Sequence, residues 1–510
     1  MVQRVVVSLL CVSGLGLLSV AATAGGMLVQ ELANPRNGVA QAGQAAYAYD
    51  AATSFYNPAG MSRLDEPRLL IGAQPLFTDI EFDACSGTTF DGGSGGQQGG
   101  FVPGLGTYYV RPINDRWAIG ASLGALAGGA LDPDSDWAGR SYISDMSFVA
   151  LGLNPVVSYR VNDWLSVGAG FMVSYASLDL DLRLPRAGNL IDRSAVQDKV
   201  AGITDAIRTA ARSELEQAAR DLGQKLPPNL PEFIDRLPPP AREALRDRVA
   251  KELRKNLKNA SAEVRAQLGP QIEKISSAAA LFEPGLEGEL QIEEADDFAF
   301  SFNLGVLIEP NDKTRFGISY RSEIEYDLEG KVDIENKPPL FEAIGFTKRS
   351  VELELPIPQL VRASVYHQLT PTLAIMGDVG WEDWSVMDYV PITGAAGAAI
   401  SIPISWHDTW HFGVGLEWRA HPRWLLQTGV AYDTSPVRDS HHNRPDFPAD
   451  RQWRVSCGLV YDWSESIQLG LNYTYVNLGS APIDITNQFG RFQGEYEDNQ
   501  FHAIALSVEF

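Results

Sequence analysis

Hydrophobic and polar residues alternate strictly along several stretches near the C-terminus. In residues 467–476 the odd positions hold Ile, Leu or Tyr, whereas the even positions before 476 hold Gln, Gly, Asn or Thr. Residues 410–419 and 502–510 alternate in the same way, with hydrophobic side chains at most even positions. A period of two predicts β-strands that have one apolar face and one small or polar face. Soluble β-sandwiches and membrane-spanning β-barrels both show this pattern.

The connections between the predicted strands fall into two length classes. Six short turns lie at 112–115, 161–163, 309–313, 369–372, 420–423 and 462–466. Seven longer polar segments lie near 83–100, 128–148, 183–293, 333–350, 385–405, 433–450 and 478–495. Thirteen connections predict fourteen strands. Short turns on one side, long loops on the other and an even number of strands are typical of bacterial outer-membrane barrels.

Tryptophan residues are divided between the two classes of connection. Five lie beside short turns, namely Trp117, Trp164, Trp418, Trp424 and Trp463. Five others lie near long loops, namely Trp381, Trp384, Trp406, Trp410 and Trp453. This distribution predicts an aromatic girdle at each membrane interface. Because a soluble sandwich has no reason to sort tryptophan in this way, we predict an all-β transmembrane fold, a 14-stranded antiparallel outer-membrane β-barrel.

The first 24 residues have the features of a secretory signal peptide. Arg4 supplies a positive charge, residues 5–20 are mostly apolar, and Ala22-Thr23-Ala24 forms a small-residue cleavage site. The apolar run is shorter than the roughly 20 residues that a membrane-spanning helix needs. We therefore expect an exported chain that begins near Gly25 and lies in the outer membrane of a Gram-negative cell.

Charge and cysteine content argue against several classes of partner. The 510-residue chain has 64 acidic and 41 basic residues, a net charge of −23, so we expect no nucleic acid partner. Only Cys85 and Cys457 remain after signal removal, too few for a disulfide framework or a cysteine-based metal cluster. The sequence has no P-loop motif for nucleotide binding. We expect neither a metal nor another cofactor.

Two segments depart from the strand pattern. Residues 25–66 are rich in alanine and include a proline turn, and we predict that they fold into the barrel lumen as a hatch; a disordered periplasmic tail is the alternative. Residues 183–293 predict a helical extracellular insert, with Ser194 as a helix N-cap. That insert is either a hairpin packed on itself or a lid that receives substrate or docks a partner. Strands 1–5 then occupy residues 67–182, and strands 6–14 occupy residues 294–510.

Four stretches of the chain form a recognisable set, namely the motif Asn57-Pro58-Ala59 and residues 315–330, 356–385 and 428–453. Together they resemble the FadL/TodX-type transporters, a family that carries long-chain fatty acids and hydrocarbons across the outer membrane. The resemblance implies a hatch inside a 14-stranded barrel, capture of substrate in a groove among the external loops, and lateral release past an inward kink in one strand. It implies passive uptake of long-chain fatty acids or other hydrophobic compounds, with neutral or aromatic hydrocarbons as the alternative cargo.

The same picture sets further expectations about partners and chemistry. We expect a monomer in contact with outer-membrane lipid and lipopolysaccharide, inserted by the barrel-assembly machinery through its C-terminal Phe510. A general porin is less expected, because a plugged lumen blocks hydrated solutes. An outer-membrane lipase needs a nucleophile. Residues 120–124 match GxSxG around Ser122, but they lie within an alternating strand, so we predict no enzyme and no catalytic residue.

Two residues are candidate substrate ligands. In the family's fatty-acid members basic side chains hold the acid head, and the resemblance places His407, near the start of the tenth strand, where such members have a lysine. A second basic position of the family, in the fifth strand, corresponds to the uncharged Ser177. This pair suits a hydrocarbon or a neutral lipid equally well, and a histidine that bonds only to the hatch or a loop is the alternative for His407. A solvated external loop explains His441 and His442 better than a metal site does.

Overall fold

The computed structural model describes residues 33–183, 288–336, 347–394, 398–446, 449–487 and 490–510, together with isolated positions between 220 and 255. The predicted signal peptide and most of the predicted helical insert lie outside the described residues. Within the insert, residues 242–244 are described and are helical. None of the helices in the described part of the chain combines the length and the apolar character that a membrane span requires.

Fourteen antiparallel strands form the sheet, and five of them consist of two segments separated by a break. They are β1 Arg68–Ala84, β2 Phe101–Pro112, β3 Trp117–Leu131, β4 Asp145–Asn162, β5 Leu165–Arg183, β6 Glu289–Asn311, β7 Thr314–Arg321 with Ile324–Glu335, β8 Arg349–Ile357 with Leu360–Thr370, β9 Leu373–Glu382 with Tyr389–Gly394, β10 Ala398–Pro403 with Thr409–His421, β11 Trp424–Asp433, β12 Gln452–Asp462, β13 Gln468–Asn477 followed by the short segment Ile483–Asn487, and β14 Gly490–Glu509. Each strand pairs with the next, and β1 also pairs with β14, from Leu70↔Glu509 to Ala84↔Gly494. The sheet is therefore closed, and the predicted 14-stranded barrel is confirmed.

The wall of the barrel has an apolar outer face and a polar or small inner face. On β10 the outward residues Trp410, Phe412 and Val414 are 47%, 46% and 52% exposed. Their inward neighbours His411 and Glu417 are almost fully buried. Lipid rather than water solvates the outward face, so the alternation is the reverse of that in a soluble sheet.

The tryptophan girdle is complete beside the short turns but not beside the long loops. Trp117, Trp164, Trp418, Trp424 and Trp463 are all exposed. Near the long loops, Trp410 and Trp453 are exposed, whereas Trp384 and Trp406 are buried and their ring centroids lie 5.1 Å apart. The prediction that these two belong to a girdle is wrong, because both lie in segments between strand halves that fold inward.

The chain before β1 is packed inside the barrel. It contains two 3₁₀-helices, Pro35–Val39 and Pro58–Arg63, and the short helix α1, Thr53–Tyr56. From residue 33 to residue 61, every residue except Tyr49 is buried. The first 3₁₀-helix packs on β10–β14, and the second packs on β2–β6. Residues 33–64, called the hatch below, therefore cross the lumen from one wall to the other.

Candidate functional site

One arginine organises the interior of the hatch. The Arg36 guanidinium is fully buried, pairs with Asp50 over 3.0 Å and donates to the Gln44 carbonyl over 2.9 Å. The same guanidinium lies 4.9 Å and 5.0 Å from the ring centroids of Tyr47 and Tyr56. Contacts of this type are favourable when the cation is desolvated. The hatch has no strands and no long helix whose hydrogen bonds could order it, among the described residues. The contacts of Arg36 therefore hold its segments together in one compact arrangement.

The motif Asn57-Pro58-Ala59 fixes the hatch to the wall. Asn57 Nδ2 donates to the carbonyls of Ala45, 2.6 Å away, and Val306, 3.0 Å away, and Val306 belongs to β6. Asn57 Oδ1 accepts from the Ala59 N–H over 3.1 Å and so caps the second 3₁₀-helix, where Pro58 occupies the first position and has no N–H to satisfy. One side chain therefore joins two hatch segments to the barrel.

Wall glycines allow the hatch backbone to approach closely. A Cβ at Gly72, Gly305, Gly317 or Gly429 would overlap a hatch atom, at Ala33 O, Asn57 Oδ1, Ala45 O and Val39 O respectively. These four glycines lie on β1, β6, β7 and β11. Because the contacts surround the hatch, little lumen remains between it and the wall at this level for a hydrated solute.

Polar contacts also join the hatch to the periplasmic half of the barrel. Burial raises the pKa of the Tyr47 phenol well above its usual value, so Tyr47 stays protonated and donates to Glu417 Oε1 over 2.7 Å. The Ala51 N–H donates to Glu509 Oε1 over 2.9 Å. Burial, with a smaller effect of nearby Arg315, lowers the pKa of Arg63 to about 10, and Arg63 therefore keeps its charge at neutral pH and its ion pair with Glu309.

The ladder between β2 and β3 is open toward the long loops. The two strands pair only from Gly106↔Gly124 to Pro112↔Ala118. Beyond this point β3 has a bulge between Ala125 and Ala127, and residues 126–129 are all buried instead of alternating. On β2, Phe101 and Leu105 are 62% and 70% exposed, although β2 stays paired with β1. The upper part of β3 has therefore moved inward, and it leaves a gap in the wall, called the β2–β3 gap below.

The lumen between the hatch and the long loops is mainly apolar on one side. Inward-facing buried side chains there include Leu126, Phe148, Leu178, Leu180, Leu290, Ile292, Tyr326, Leu328, Leu353, Leu355, Trp384, Ile392 and Ile402. They belong to β3–β10 and to the segment between the two halves of β9. A path lined in this way favours a hydrophobic molecule over an ion or a sugar.

A buried charged cluster lies against the hatch on strands β8–β12. Arg362 pairs with Glu382 over 2.9 Å. Asp433 contacts both His411 Nδ1 at 2.6 Å and Arg454 at 3.3 Å, and His411 Nε2 lies 3.3 Å from Asp378. A Cβ at Gly413 would lie 3.5 Å from Cα of the hatch residue Ala42. The cluster therefore pairs most of its charges internally and gives the hatch a rigid polar support.

A protein-family model described as "Outer membrane protein transport protein (OMPP1/FadL/TodX)" matches residues 15–221 and 253–510. The chain belongs to this family. FadL/TodX proteins are transport proteins of the outer membrane, and this chain is accordingly a protein of the Gram-negative outer membrane.

Individual FadL/TodX relatives match over nearly the whole chain. The long-chain fatty acid transport protein of Escherichia coli O6:H1 is 24% identical over 477 residues, which cover 90% of this chain and 89% of the relative. Outer membrane protein P1 of Haemophilus influenzae is 23% identical over 473 residues, with 89% and 86% covered.

Solved FadL/TodX structures have the same fold. The crystal structure of a Pseudomonas aeruginosa FadL homologue has a TM-score of 0.70 at 20% identity and covers 96% of this chain and 99% of that one. The Pseudomonas putida toluene transporter TodX has a TM-score of 0.56 at 16% identity, with 93% and 97% covered. At these identities the likeness is evidence for the fold alone.

The two substrate ligands expected from the FadL/TodX resemblance do not share a site. His407 lies in the segment between the two halves of β10, where its N–H donates to the Pro436 carbonyl over 2.9 Å. The second half of β10 begins at Thr409, so His407 is not part of a strand, and the inward histidine of this strand half is His411. That His407 is a substrate ligand stays a prediction. Ser177 faces outward opposite Val149, because the inward positions of β5 here are Ala176 and Leu178.

The other residues that the sequence singled out lie away from this lumen site or are structural. His441 and His442 border a cavity of about 730 Å³ among the external loops, and they donate through Nδ1 to the Asp484 carbonyl and to Asp439. Among the described residues, no group of three or more His, Cys, Asp or Glu side chains is placed to hold a metal ion. Ser122 lies within β3, as its alternation predicted, and the described cysteines Cys85 and Cys457 are both free.

Sequence reasoning missed basic residues that face the lumen. Arg315 and Arg321 are inward positions of β7, and Arg362 and Arg454 are inward positions of β8 and β12. The period of two that locates the strands also places these arginines on the inner face. An inward charge in a lipid transporter is a candidate ligand, so alternation was the signal that could have found them.

Proposed function

We propose that the protein takes up long-chain fatty acids or other hydrophobic compounds passively across the outer membrane. The observation that carries this proposal has two parts. The hatch fills the lumen at its own level, and the apolar part of the lumen above it lies beside the β2–β3 gap in the wall. The names of the family's members support it, since one relative is called a long-chain fatty acid transport protein and another a toluene transporter.

The proposed path leads from the external loops into the lumen and out sideways through the β2–β3 gap into the bilayer. Burial of an acyl chain is favourable by about 0.8 kcal/mol per CH₂. A path that stays apolar keeps most of this free energy, whereas an aqueous pore through the hatch would lose it. The downhill transfer into lipid needs no nucleotide, and rearrangement of the hatch would be needed only to connect the lumen with the gap.

Neutral or aromatic hydrocarbons are the alternative cargo. The apolar lining of β3–β10 favours them as much as it favours an acyl chain. A general porin is a weaker hypothesis, because wall glycines allow the hatch to pack closely against the barrel. We also propose that the protein is not an enzyme, since Ser122 is part of a continuous strand and not of a strand-to-helix turn.

Contacts with lipopolysaccharide, a monomeric state and insertion by the barrel-assembly machinery through Phe510 remain predictions. Phe510 ends the chain directly after β14, half of its side chain is exposed, and its N–H donates to the Leu69 carbonyl over 2.9 Å. An accessible terminal aromatic residue beside the closing pair of strands is compatible with recognition by an insertion machinery.

Deletion of Leu126 tests the lateral path. Leu126 is the extra residue of the β3 bulge, so its removal should straighten β3 and allow pairing with β2 to continue. We expect uptake of labelled oleate or hexadecane by whole cells to fall to the level of cells without the protein. The matched control deletes Glu294, which lies in a bulge of β6 away from the gap. Normal uptake by a folded Leu126 deletion would refute lateral release through this gap.

A further inference from the structure

A pocket of about 500 Å³ lies on the outer face of the barrel, at the long-loop end of β11–β13. Tyr432, Trp453 and Asn477 border it and are direct cross-strand partners on these three neighbouring strands. All three occupy outward positions of their strands, and the Trp453 side chain is 50% exposed. The pocket therefore opens toward the surroundings of the barrel and not into the lumen.

The pocket lies at the level of the membrane interface. On the same face, closer to the short turns, Val455 and Leu471 are 53% and 48% exposed, as lipid-facing residues are. Beyond Trp453 the chain leaves both strands, because β12 begins at Gln452 and β13 ends at Asn477. Tryptophan at such a boundary lies at the level of the lipid head groups. Long loops of outer-membrane barrels face the cell exterior, so these head groups belong to lipopolysaccharide, which forms the outer leaflet.

Arg451 places a positive charge at the border of the pocket, directly before β12. It is exposed, and among the described residues its side chain forms neither an ion pair nor a hydrogen bond. Its backbone is fixed, since the Arg451 N–H donates to Asp450 Oδ1 over 2.7 Å. A Cβ at Gly479, which has a φ of 78°, would lie 2.7 Å from the Asp450 side chain and 2.9 Å from the Arg451 carbonyl oxygen. The two loop segments thus pack closely and leave the guanidinium available to a ligand.

The other polar residues that line the pocket suit a sugar. Asn477 Oδ1 accepts from the Gly479 N–H over 3.2 Å, which leaves the Nδ2 N–H groups of Asn477 as donors. Ser480 is exposed, and its hydroxyl both donates and accepts. Glu497 is exposed as well, and its carboxylate accepts hydrogen bonds from hydroxyl or amide groups.

The aromatic pair supplies the apolar part of the pocket. The ring centroids of Tyr432 and Trp453 lie 4.7 Å apart, so the two side chains form one continuous surface beside Arg451. Guanidinium groups bind phosphate through paired hydrogen bonds. Lipid A, the acylated and phosphorylated glucosamine disaccharide of lipopolysaccharide, combines a phosphate, sugar hydroxyls, amide groups and acyl chains. A phospholipid head group lacks the sugar that the neutral donors and the carboxylate would recognise.

The outer face of β7 and β8 has the opposite charge toward the long loops. Its exposed outward positions include the carboxylates Glu325, Asp327, Glu329, Glu352 and Glu354. Lys331 lies among them and is paired with Glu294. Like charges repel a phosphate, so this face does not favour lipid A, in contrast to the pocket beside Arg451.

We propose that the pocket at β11–β13 binds lipid A of the outer leaflet, with a phosphate on the Arg451 guanidinium. The polar groups of the sugar contact Asn477, Ser480 and Glu497, and the acyl chains extend along the wall from Trp453 toward the short turns. This inference goes beyond the proposed transport function and does not depend on it. It assigns the predicted contact with lipopolysaccharide to one place on the barrel.

The test compares phosphorylated lipid A with its dephosphorylated form. Binding of each to the purified full-length protein is titrated by native mass spectrometry in a nonionic detergent, with EDTA present so that no divalent cation bridges the phosphates to Glu497. A charged hydrogen bond predicts an affinity for phosphorylated lipid A that is about 10- to 100-fold lower in Arg451→Gln than in the wild type. Dephosphorylated lipid A should bind both proteins equally. Lys331→Gln, which removes an exposed cation from the outer face of β7, is the matched control and should leave both affinities unchanged.

Four results would overturn the inference. Unchanged binding of phosphorylated lipid A in Arg451→Gln excludes the residue from the site, and an equal loss in Lys331→Gln shows only a general effect of charge. Equal losses for the two forms of lipid A show that Arg451 shapes the pocket without contacting a phosphate. Displacement of lipid A by the same concentration of phosphatidylethanolamine or of inorganic phosphate shows a site for any lipid or any anion.

Two further variants separate charge from shape. Arg451→Lys keeps the charge and should retain more affinity for phosphorylated lipid A than Arg451→Gln; an equally low affinity would contradict a contact between this charge and a phosphate. Asn477→Leu keeps the volume without the donors and should weaken binding of both forms of lipid A, and unchanged binding removes Asn477 from the site. Heat resistance on gels should stay normal in Arg451→Gln, because the exposed side chain contributes nothing to the strand ladder.

Discussion

Replacement of Asn57 by alanine should release the hatch from the wall and leave the hydrogen-bond ladder of the barrel strands intact. The Asn57 side chain makes three hydrogen bonds, to Ala45 O, Val306 O and the Ala59 N–H, and it is fully buried. At about 1 kcal/mol for each net hydrogen bond, Asn57→Ala should destabilise the docked hatch by about 3 kcal/mol. Each 1.4 kcal/mol is a factor of about ten, so the undocked population should rise by roughly two powers of ten. The barrel ladder does not depend on this side chain.

Single-channel recording in planar bilayers measures the released population. We expect Asn57→Ala to show openings about a hundred times more often than the wild type, in line with the hydrogen bonds lost. Its heat resistance on gels should be unchanged. Asn114→Ala is the matched control, because Asn114 Oδ1 accepts from the N–H groups of Arg116 and Trp117 in an exposed turn. If Asn57→Ala opens no more often than the wild type, or if both variants open equally often, Asn57 does not hold the hatch.

Three further outcomes are expected. Deletion of residues 25–60 should leave a folded, heat-resistant barrel that conducts ions in planar bilayers, and conductance no higher than that of the intact protein would contradict a plug. Protease added to whole cells should cut near the proline-rich segment 226–240 and spare the strands, whereas cutting only in permeabilised cells would place the insert in the periplasm. His407→Ala should leave oleate affinity nearly unchanged at pH 6 and pH 8, because the contacts of His407 are with loop carbonyls, those of Pro436 and Asp408; a clear loss at low pH would restore it to the site.

The strand framework was predictable because its determinants are local. Alternation assigned the two faces of β10 correctly, since lipid selects apolar outward side chains and the packed lumen selects small or polar inward ones. The lengths of the turns and loops are also local features of the sequence, so the number of strands, fourteen, was predictable from them. The breaks within β7–β10 were not predictable, because they depend on the side chains that pack behind the wall. Trp384 and Trp406 lie at such breaks, and proximity to a loop did not distinguish them from girdle residues.

The site was predictable only in part. The Asn57-Pro58-Ala59 motif indicated a hatch, because a side-chain cap followed by proline is a local signal. His407 was assigned by resemblance, but the strand segment begins two residues later, at Thr409, so the alternation of the strand does not determine which way His407 faces. Phe171 and Tyr175 show that the odd positions of β5 face outward, so the alternation alone already places Ser177 on the outer face. Arg321 was identifiable as an inward cation from the alternation of β7, but its contact with the Phe55 ring of the hatch depends on residues far apart in the sequence.

Photo-crosslinking of a substrate in whole cells tests the transport path most directly. A fatty acid and an alkane of equal length, each with a photoreactive group near the chain end, are added at limiting concentration, and labelled peptides are identified by mass spectrometry. The account predicts labelling of the hatch, of the apolar lumen and of both edges of the β2–β3 gap, residues 101–105 and 125–131, and competition by unlabelled compound should remove it. Labels confined to the external loops and periplasmic turns, with none at the gap or in the lumen, would contradict uptake through this barrel wall.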